Sequence, residues 1–280
     1  MTKSARKPDS LKRMPGTLTL VGAGKMGSAL LDGWLRLGLD PKKISVIEPQ
    51  PSRELIALKR RGLRFNPTGK SIGTAAVIVL AIKPQIAPEA LPALVPLLGG
   101  KTVVISIMAG RRIQMLERLL PKTAIVRAMP NTPAAIGRGI TVCCPNGRVS
   151  AAQRALAHKL LAATGAVEWV DDEGLMDAVT AISGSGPAYV FLLAEALAHA
   201  GKTAGLPGIL AEKLARATVA GAGELLFRSK LDAATLRINV TSPGGTTAAA
   251  LDVLMGDNGL DQLLTRAVIA ATRRGRDLAG

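Results

Sequence analysis

The fold is decided near the start of the chain, where Thr-Leu-Thr-Leu-Val (residues 17–21) leads into Gly-Ala-Gly-Lys-Met-Gly (residues 22–27). A helical pattern follows over residues 28–35, so a Gly-x-Gly-x-x-Gly motif stands between a predicted strand and a predicted helix. In this context Gly22 permits the tight turn, Gly24 admits a pyrophosphate close to the backbone, and Gly27 lets helix and strand pack closely. The stretch therefore predicts a dinucleotide-binding fold.

Further apolar runs follow, separated by helical patterns, and they predict the other strands of one sheet. Residues 76–82 are apolar throughout, which is typical of a central parallel strand buried on both faces. Because strand and helix alternate, we expect a doubly wound, Rossmann-type α/β domain with right-handed crossovers. The predicted strands after the first cover residues 44–47, 76–82, 102–107, 124–128, 140–144 and 166–170.

Ligands of such a sheet gather at the carboxyl ends of its strands. Three predicted loops lie there, at residues 81–85, 107–110 and 127–133. Two interpretations stay open for the cations in these loops. Either Lys83 and Arg127 face the cofactor or substrate, or Lys83 is a solvated strand-end lysine and Arg127 pairs with a carboxylate.

The domain organisation follows from a change of pattern. From Met176 onward Ala-rich and Leu-rich helical spacing dominates, and a chain of 280 residues is long enough for two domains. We predict a disordered basic tail over residues 1–15, a Rossmann domain over 16–173 and an all-α domain over 174–280. Aromatic residues make up only 2% of the chain, and a helical half packed from Ala and Gly is often completed by a second copy of itself.

Charge and composition exclude several classes of function. The net charge of +16 is spread along the chain without interleaved aromatic residues, so a basic surface that attracts anionic metabolites is a simpler interpretation than a nucleic-acid site. No apolar run reaches the roughly 18 residues of a membrane span, and residues 1–16 contain no apolar core of a secretion signal. Cys143 and Cys144 point to opposite faces of a predicted strand, and no Cys/His metal cluster exists. We expect a cytoplasmic protein that binds neither nucleic acid nor membranes and holds no metal.

Two features near the end of the second strand point to different cofactors. Glu48 lies about twenty residues beyond the last glycine, where an acid normally accepts from the ribose 2′-OH of NAD and repels the 2′-phosphate of NADP. Ser52 and Arg53 open the next helix, and such a helix start suits a 2′-phosphate. The choice between NADPH and NADH stays open from these residues.

Two glycine-rich stretches lie in the helical half, Ile-Ser-Gly-Ser-Gly-Pro-Ala-Tyr at residues 182–189 and Asn-Val-Thr-Ser-Pro-Gly-Gly-Thr-Thr at residues 239–247. A helical pattern follows each, with Ser185 and Ser242 as the expected N-caps and a proline soon after. A helix start has unpaired N–H groups and a positive dipole end, so it suits a carboxylate or a phosphate. Together with the dinucleotide site, these stretches predict a small anionic substrate held beside a cofactor.

The residue types that are missing narrow the reaction. His158 and His199 are the only histidines, and both lie in predicted helices away from the glycine motifs. A dehydrogenase that oxidises an alcohol usually needs a base, commonly His or Lys, near the hydride acceptor. The helix predicted after Gly186 contains no lysine. The neutral hydroxyl and amide donors that remain fit reduction of a C=N bond, because a protonated imine accepts hydride without a strong general acid.

Five motifs, in this order, resemble those of the pyrroline-5-carboxylate reductase family: residues 22–27, 81–85, 127–133, 183–189 and 240–247. The resemblance implies reduction of 1-pyrroline-5-carboxylate to L-proline by NADPH or NADH, the last step of proline biosynthesis. It also implies dimers through interlocked helical domains, often five dimers to a decamer. The Asn that many members carry ahead of the Ala-x-Lys-Pro strand is Thr68 here by spacing, which departs from the pattern on the adenosine side.

The resemblance also implies roles for individual residues. It places the substrate carboxylate on backbone amides of the Ser-Pro-Gly-Gly-Thr-Thr turn and the hydroxyl of Thr247, the expected catalytic residue, near the ring nitrogen. The alternative for Thr247 is that it only supports the helix start. The expected substrate-binding residues are Asn239, Ser242, Gly244, Gly245, Thr246 and Thr247. The expected cofactor-binding residues are Val21, Gly22, Ala23, Gly24, Lys25, Met26, Gly27, Ser52, Arg53, Ala81, Ile82, Lys83, Pro84, Met108 and Ala109.

Two other classes of protein share parts of this pattern. A β-hydroxyacid dehydrogenase also joins a Rossmann half to a helical half, but the lysine after its Gly-rich helix start is absent here. A cofactor-binding regulatory protein would need no second glycine-rich site, and this chain has one at residues 239–247. A turnover assay with 1-pyrroline-5-carboxylate separates an enzyme from a regulatory protein.

Overall fold

The computed structural model describes residues 10–67 and 73–279 and divides the chain into two compact units. The first unit comprises the residues up to Gly184 together with those from Thr272 onward, and the second is Ser185–Ala271. The first unit contains the sheet and the second is helical, so the predicted fold class is confirmed. The division falls after residue 184 rather than near residue 173, because Met176 and its neighbours pack on the sheet.

An eight-stranded sheet forms the centre of the described part of the first unit. The strand order is β3-β2-β1-β4-β5-β6-β7-β8, and in the described sheet every neighbouring pair is parallel except β6 with β7. β3 was not predicted, because its two residues are too few to form an apolar run. The strands are β1 (Leu18–Val21), β2 (Ile44–Ile47), β3 (Arg64–Phe65), β4 (Val77–Leu80), β5 (Val103–Ser106), β6 (Ala124–Met129), β7 (Gly139–Pro145) and β8 (Gly165–Trp169).

Helices connect the strands and then form the second unit. The first unit contains α1 (Lys25–Arg36), α2 (Arg53–Ala57), α3 (Ala87–Ala90), α4 (Ile113–Leu119), α5 (Ala151–Leu161) and α6 (Met176–Val179). A π-helical turn, Thr180–Gly184, follows α6. The second unit contains α7 (Gly186–Thr203), α8 (Gly208–Arg228), α9 (Ala233–Asn239) and α10 (Thr246–Leu254), while α11 (Leu260–Ala279) begins in the second unit and ends in the first.

The register of the central strands brings the predicted loops to one edge of the sheet. Val21 is level with Ile47 on one side and with Leu80 on the other, and Leu80 is level with Ser106. The loops that follow β1, β2, β4 and β5 therefore all begin at the same carboxyl edge, which is where a Rossmann-type sheet binds its ligand.

Apolar side chains cover both faces of this sheet. Every residue of β1, β4 and β5 is buried, as expected of central parallel strands. Helices α1 and α5 pack on one face, where Trp34 is fully buried and its indole Nε1–H donates to the Leu160 carbonyl at 2.9 Å. This hydrogen bond satisfies the only polar atom of a large core side chain.

The chain before β1 packs on the first unit over its described part. Leu11 and Met14 are buried, and the Leu11 N–H donates to the Leu37 carbonyl at 2.9 Å. The prediction of a disordered tail is therefore wrong for residues 10–15, because two apolar side chains there join the core beside the end of α1. Residues 1–9 lie outside the described residues.

The second unit buries small side chains and exposes large ones. Helices α7 and α8 approach closely, since a β-carbon added at Gly201 would lie 3.2 Å from the Ala211 β-carbon. Ala198, Ala211 and Ala215 are buried there. Large apolar side chains stay exposed along all five of its helices, among them Phe191, Leu192, Ile209, Phe227, Ile238, Val253 and Ile269.

The two predicted helix starts in this half differ from expectation. Ser185 is the N-cap of α7, but within the described residues its hydroxyl makes no capping bond, because its backbone is already helical after the π-helical turn. Ser242 does not cap the later helix. Helix α10 begins at Thr246 with Gly245 as its N-cap, after a turn in which the Gly245 N–H donates to the Ser242 carbonyl at 3.0 Å.

The helical stretch at the start of the second half is longer than expected. The chain is helical over Glu173–Thr203, and by length and composition this segment could cross a membrane. Only 11% of its most apolar 18-residue stretch is buried. The prediction that no apolar stretch reaches this length is wrong by that test, which core helices of soluble proteins also pass. The prediction of a lysine-free helix is also wrong, because α7 continues to Lys202, which pairs with Glu212 at 2.7 Å.

Candidate active site

The loops predicted to hold the cofactor meet at the carboxyl edge of the sheet. The Gly22 N–H donates to the Ile47 carbonyl at 2.8 Å, and the Ala81 N–H donates to the Val21 carbonyl at 2.7 Å. These bonds continue the strand pairing into the loops after β1 and β4. The glycine-rich turn at residues 22–24 is therefore held by the strands on both sides of β1.

Each of the three positions in the motif requires glycine for a different physical reason. Gly22 has a φ of +89°, and an added β-carbon would lie 2.6 Å from the Ala81 carbonyl oxygen. At Gly27 an added β-carbon would collide with the Gly22 carbonyl oxygen. At Gly24, by contrast, no heavy atom of the described residues lies within 4 Å of the β-carbon position. The space beside Gly24 is open, as close approach of a pyrophosphate requires.

The first turn of α1 adds hydrogen-bond donors to that space. Gly24 is the N-cap, and a glycine offers no side-chain oxygen to the first N–H groups of the helix. A helix start of this kind attracts anions through its free donors and its dipole. The Ser28 hydroxyl donates to the Ala23 carbonyl at 2.8 Å, which fixes the turn against the helix. The geometry fits the pyrophosphate of a dinucleotide.

At the predicted ribose end, backbone N–H groups already bind the side chains of Glu48 and Ser52. The Glu48 carboxylate accepts from the Ala23 N–H at 2.8 Å and from the Gln50 N–H at 3.0 Å. The Ser52 hydroxyl caps α2, and Arg53 beside it is exposed. The guanidinium of Arg53 stands at the first position of α2, beside this cap. Thr68, expected on the adenosine side, lies outside the described residues.

The loops after β4 and β5 are joined by a hydrogen bond from Arg111 Nε–H to the Pro84 carbonyl at 3.1 Å. Lys83 and Ala109 are exposed, whereas the Met108 side chain is buried in the core and leaves only backbone for a ligand. A cavity of about 250 Å³ lies beside these loops, within the first unit. Its lining consists of Pro84, Gln85, Ala109, Gly110, Arg111, Asp177, Thr180, Gly275 and Leu278.

Arg127, buried within β6, pairs with carboxylates. Its Nη1 lies 2.8 Å from Glu173 Oε1 and its Nη2 lies 3.9 Å from Asp177 Oδ1. The same Glu173 oxygen accepts from the Ile113 N–H at 2.8 Å, at the start of α4. Of the two interpretations left open for Arg127, the structure supports pairing with a carboxylate. This ion pair ties β6, α4 and the segment before α6 together.

The two cysteines are buried and their thiols stay neutral. Burial raises the pKa of the Cys143 thiol to about 12. Burial, reinforced by the nearby Glu173 carboxylate, also raises the pKa of the Cys144 thiol. Neutral thiols are poor nucleophiles and poor metal ligands. Within the part of the chain that the structure describes, no group of three or more His, Cys, Asp and Glu side chains is placed to hold a metal ion.

The Ser-Pro-Gly-Gly-Thr-Thr turn in the second unit resembles the glycine-rich turn of the first. Gly244 has a φ of +68°, and its β-carbon position has no heavy atom within 4 Å among the described residues. Gly245 then caps α10, so the first N–H groups of this helix, including those of Thr246 and Thr247, face no N-cap side chain. Open space next to a glycine-capped helix start occurs in both units, and it suits an anionic group in each.

The other predicted substrate-binding residues lie around this turn. Asn239 ends α9 and is exposed, Ser242 is exposed, and Thr247 is half-buried. The Thr241 hydroxyl is used locally, since it donates to the Arg237 carbonyl at 2.7 Å. The structure thus places the predicted substrate-binding residues within the second unit and the predicted cofactor-binding residues within the first.

Three residues with a clear part in the first unit were not singled out from the sequence: Ser28, Asn66 and Glu173. The Asn66 side chain accepts from the Glu48 N–H at 2.8 Å and donates to the Glu48 carbonyl at 2.9 Å. Its signal in the sequence is the Asn-Pro pair at residues 66–67, which is typical of a turn. For Ser28 and Glu173 no local pattern distinguishes them from ordinary surface residues.

Two protein-family models match the chain. The one described as pyrroline-5-carboxylate reductase dimerisation matches residues 173–278, and the one described as NADP oxidoreductase coenzyme F420-dependent matches residues 17–110. A pyrroline-5-carboxylate reductase of Synechocystis is 41% identical over 265 residues, which cover 93% of this chain and 97% of the relative. One of Pseudomonas aeruginosa is 38% identical over 264 residues, covering 94% of this chain and 96% of the relative.

Solved structures show the same likeness. A pyrroline-5-carboxylate reductase from Coxiella burnetii matches with a TM-score of 0.87 at 34% identity, covering 95% of this chain and 99% of that chain. The pyrroline carboxylate reductase of Plasmodium falciparum, solved with NADP bound, matches with a TM-score of 0.79 at 30% identity and the same coverage.

These matches place the chain among the oxidoreductases that combine a dinucleotide-binding domain with a helical dimerisation domain. Within that class it belongs to the pyrroline-5-carboxylate reductase family. The family predicted from the sequence motifs is confirmed. The match to a dimerisation domain over residues 173–278 indicates that the chain forms oligomers.

Proposed function

We propose that this chain reduces 1-pyrroline-5-carboxylate to L-proline, the last step of proline biosynthesis, with NADPH as its main cofactor and NADH as a second one. The observation that carries this proposal is the open space beside a glycine-capped helix start in each unit. One such start suits a pyrophosphate, and the other suits the carboxylate of a small substrate. The named relatives supply the identity of that substrate.

The residues of the first unit fit a dinucleotide. When bound, NADPH supplies the hydride for the reduction. The open position at Gly24 and the first turn of α1 take the pyrophosphate, and the loops at residues 81–84 and 108–109 lie at the same edge of the sheet. Arg53 is exposed near the ribose end and suits a 2′-phosphate. The NADP bound to the Plasmodium falciparum relative supports the same choice here.

In the second unit, the turn at residues 242–247 takes the substrate carboxylate on its backbone N–H groups. Gly244 and Gly245 leave those N–H groups accessible, because neither carries a side chain. Asn239 ends the helix before the turn, and Ser242 is its first residue. The Thr247 hydroxyl oxygen accepts a hydrogen bond from the protonated ring nitrogen and so orients the ring.

The reaction needs no strong acid on the protein. The imine arrives protonated, hydride adds to the carbon of the C=N bond, and the π electrons become the lone pair of a neutral secondary amine, which solvent then protonates. The task of the chain is to orient the ring toward the cofactor and to exclude water. His158, which accepts from Trp169 Nε1–H at 3.2 Å, and the neutral thiols are not needed for it.

We further propose that two copies form a dimer through the helical unit and that five dimers form a decamer, as the family resemblance implies. The exposed side chains of Phe191, Leu192, Ile209 and Phe227 provide apolar surface for the dimer. The apolar stretch Glu173–Thr203 then contacts a second copy rather than lipid. We assign the enzyme to the cytoplasm, with no nucleic-acid or membrane partner.

A turnover assay with the full chain tests the proposed function. Purified protein is mixed with 1-pyrroline-5-carboxylate and either NADPH or NADH, and cofactor oxidation is followed by absorbance while proline is measured by chromatography. We expect one proline for each cofactor oxidised and a higher kcat/KM with NADPH. An oligomeric, folded protein that oxidises neither cofactor in the presence of the imine would contradict the proposal and favour a regulatory role.

A further inference from the structure

Glu48, directly after β2, has both carboxylate oxygens bound to backbone N–H groups. Oε2 accepts from the Ala23 N–H at 2.8 Å, and Oε1 accepts from the Gln50 N–H at 3.0 Å. Ala23 stands in the middle of the glycine-rich turn, between Gly22 and Gly24. The carboxylate therefore holds the one residue of that turn that is flanked by glycines, the most flexible residues of the chain.

A second side chain holds Glu48 itself. Asn66 accepts from the Glu48 N–H at 2.8 Å and donates to the Glu48 carbonyl at 2.9 Å, while its own N–H donates to the Val46 carbonyl at 2.8 Å. Asn66 adopts a positive φ of +42°, which Asn tolerates better than most residues. Because β3, β2 and β1 are neighbours, these hydrogen bonds form a brace, Asn66–Glu48–Ala23, across three adjacent strand ends.

We propose that Glu48 is a positioning residue that holds the glycine-rich turn in its cofactor-binding shape and does not read the 2′ group of the cofactor. This inference rests on the proposed function, in which the turn takes the pyrophosphate. The Ala23 N–H is already used by Glu48, so the donors left for an anion are those of the first turn of α1. Hydrogen bonds from backbone N–H to a carboxylate are among the stronger kinds, which suits a brace.

The two roles of Glu48 predict different results. An acid that reads the ribose favours NADH over NADPH, so its removal changes the ratio of their affinities. A brace acts on the pyrophosphate turn, which both cofactors share, so its removal weakens both equally. The brace also exists without any cofactor, so it is measurable in the free protein.

The experiment compares Glu48→Ala and Glu48→Gln with the matched control Glu89→Gln, which removes one exposed carboxylate from α3 of the same unit. Dissociation constants for NADPH and NADH are measured by fluorescence titration. Amide exchange of peptides covering residues 18–31 is measured by mass spectrometry without cofactor. Melting curves establish that each variant is folded.

For Glu48→Ala we expect both dissociation constants to rise about tenfold, the loss of one charge-assisted hydrogen bond, with their ratio preserved within about twofold. Amide exchange of the glycine-rich turn should become faster. Glu48→Gln should show a smaller change in the same direction, because an amide oxygen replaces only one of the two acceptors. Asn66→Gly, which keeps a positive φ accessible but removes the side chain, should also weaken both cofactors. The control should match the wild type.

Either of two results would overturn the proposal. One is a change in the NADPH/NADH ratio of Glu48→Ala by more than about fivefold, which would make Glu48 a reader of the 2′ group. The other is unchanged amide exchange together with unchanged affinity for both cofactors. A wild-type protein that binds neither cofactor would contradict the proposed function instead, and the exchange rates would still decide whether the brace exists.

Discussion

The two units of this chain treat apolar side chains in opposite ways. In the first, Trp34, Leu30 and Ile78 are completely buried between the sheet and its helices. In the second, the buried side chains are alanines, while Phe191 is 62% exposed and Val253 is 76% exposed. A surface of that kind is completed by association. The first unit therefore carries its own core, whereas the second matches a family model named for dimerisation and leaves its large apolar side chains exposed.

The largest expected effect comes from a charge in the exposed apolar surface of the second unit. Phe191→Asp should convert the oligomer to monomers and abolish turnover, since the exposed Phe191 belongs to the apolar surface proposed for the dimer, and an aromatic hot spot at an interface is worth about 2 kcal/mol or more. Binding of NADPH should persist, because the residues proposed to bind the cofactor lie in the first unit. Light scattering after gel filtration, with a parallel cofactor titration, measures both.

The matched control for this variant is Val95→Asp, which places the same charge on an exposed apolar residue of the first unit. It should leave assembly unchanged. If Phe191→Asp remains fully oligomeric, or if Val95→Asp dissociates the protein as well, the exposed apolar surface of the second unit is not what holds the oligomer together.

The second prediction compares two glycines of the first unit: Gly24, which borders open space, and Gly27, which packs against backbone. Gly24→Val should abolish detectable NADPH binding and leave the melting temperature nearly unchanged, because the added side chain enters open space. Gly27→Val should instead destabilise the unit by about 1–3 kcal/mol or more, since its β-carbon meets the Gly22 carbonyl. Cofactor titration and melting curves distinguish the two. Wild-type affinity in Gly24→Val would remove the pyrophosphate from this turn.

A third prediction compares ion pairs. Glu173→Gln removes the nearer of the two carboxylates of the buried Arg127 guanidinium, at 2.8 Å, and should lower stability by about 1–3 kcal/mol. Glu212→Gln breaks the exposed Lys202 pair of the second unit, at a similar distance of 2.7 Å, and should have no measurable effect, because water screens it. Urea unfolding of both variants tests this. Equal losses would show that burial does not set the difference.

The smallest effect is expected at the substrate turn of the second unit. Thr247→Ala should lower kcat several-fold to tenfold, the worth of one hydrogen bond at ~0.5–1.5 kcal/mol. The loss should grow at high pH, where the free substrate is unprotonated and its reduction depends more on the Thr247 hydroxyl. Thr246→Ala, its neighbour on α10, is the control and should lose less. Wild-type kcat at every pH would make Thr247 structural, and a loss of about a thousandfold would make it a general acid.

The parts of the fold that were predicted correctly carry local signals. The glycine-rich turn, the continuous apolar strands and the change to helical spacing after Met176 are each visible within a short stretch of sequence. The family also followed from short motifs in a fixed order. The second glycine-rich stretch, at residues 239–247, was also recognisable from its composition and from the helical pattern that follows it.

The parts that were not predicted depend on contacts between distant residues. The Glu48 carboxylate meets Ala23, which lies 25 residues away, and Arg127 meets Glu173, which lies 46 residues away. Neither contact has a local pattern, because each needs the strand order and register to be known first. The start of α10 was predicted too early for a related reason, with Ser242 as N-cap, whereas the helix begins at Thr246. A positive φ at Gly244 delays the helix, and a Ser-Pro pair alone does not reveal it.

The most direct test of the proposed reaction follows the transferred hydride. The full chain is incubated with 1-pyrroline-5-carboxylate and NADPH carrying deuterium at both C4 positions, and the proline formed is analysed by mass spectrometry and chiral chromatography. Hydride transfer to the imine carbon predicts L-proline with one deuterium at Cδ, the former imine carbon, in amounts equal to the cofactor oxidised. Unlabelled proline, or cofactor oxidation without proline, would contradict it.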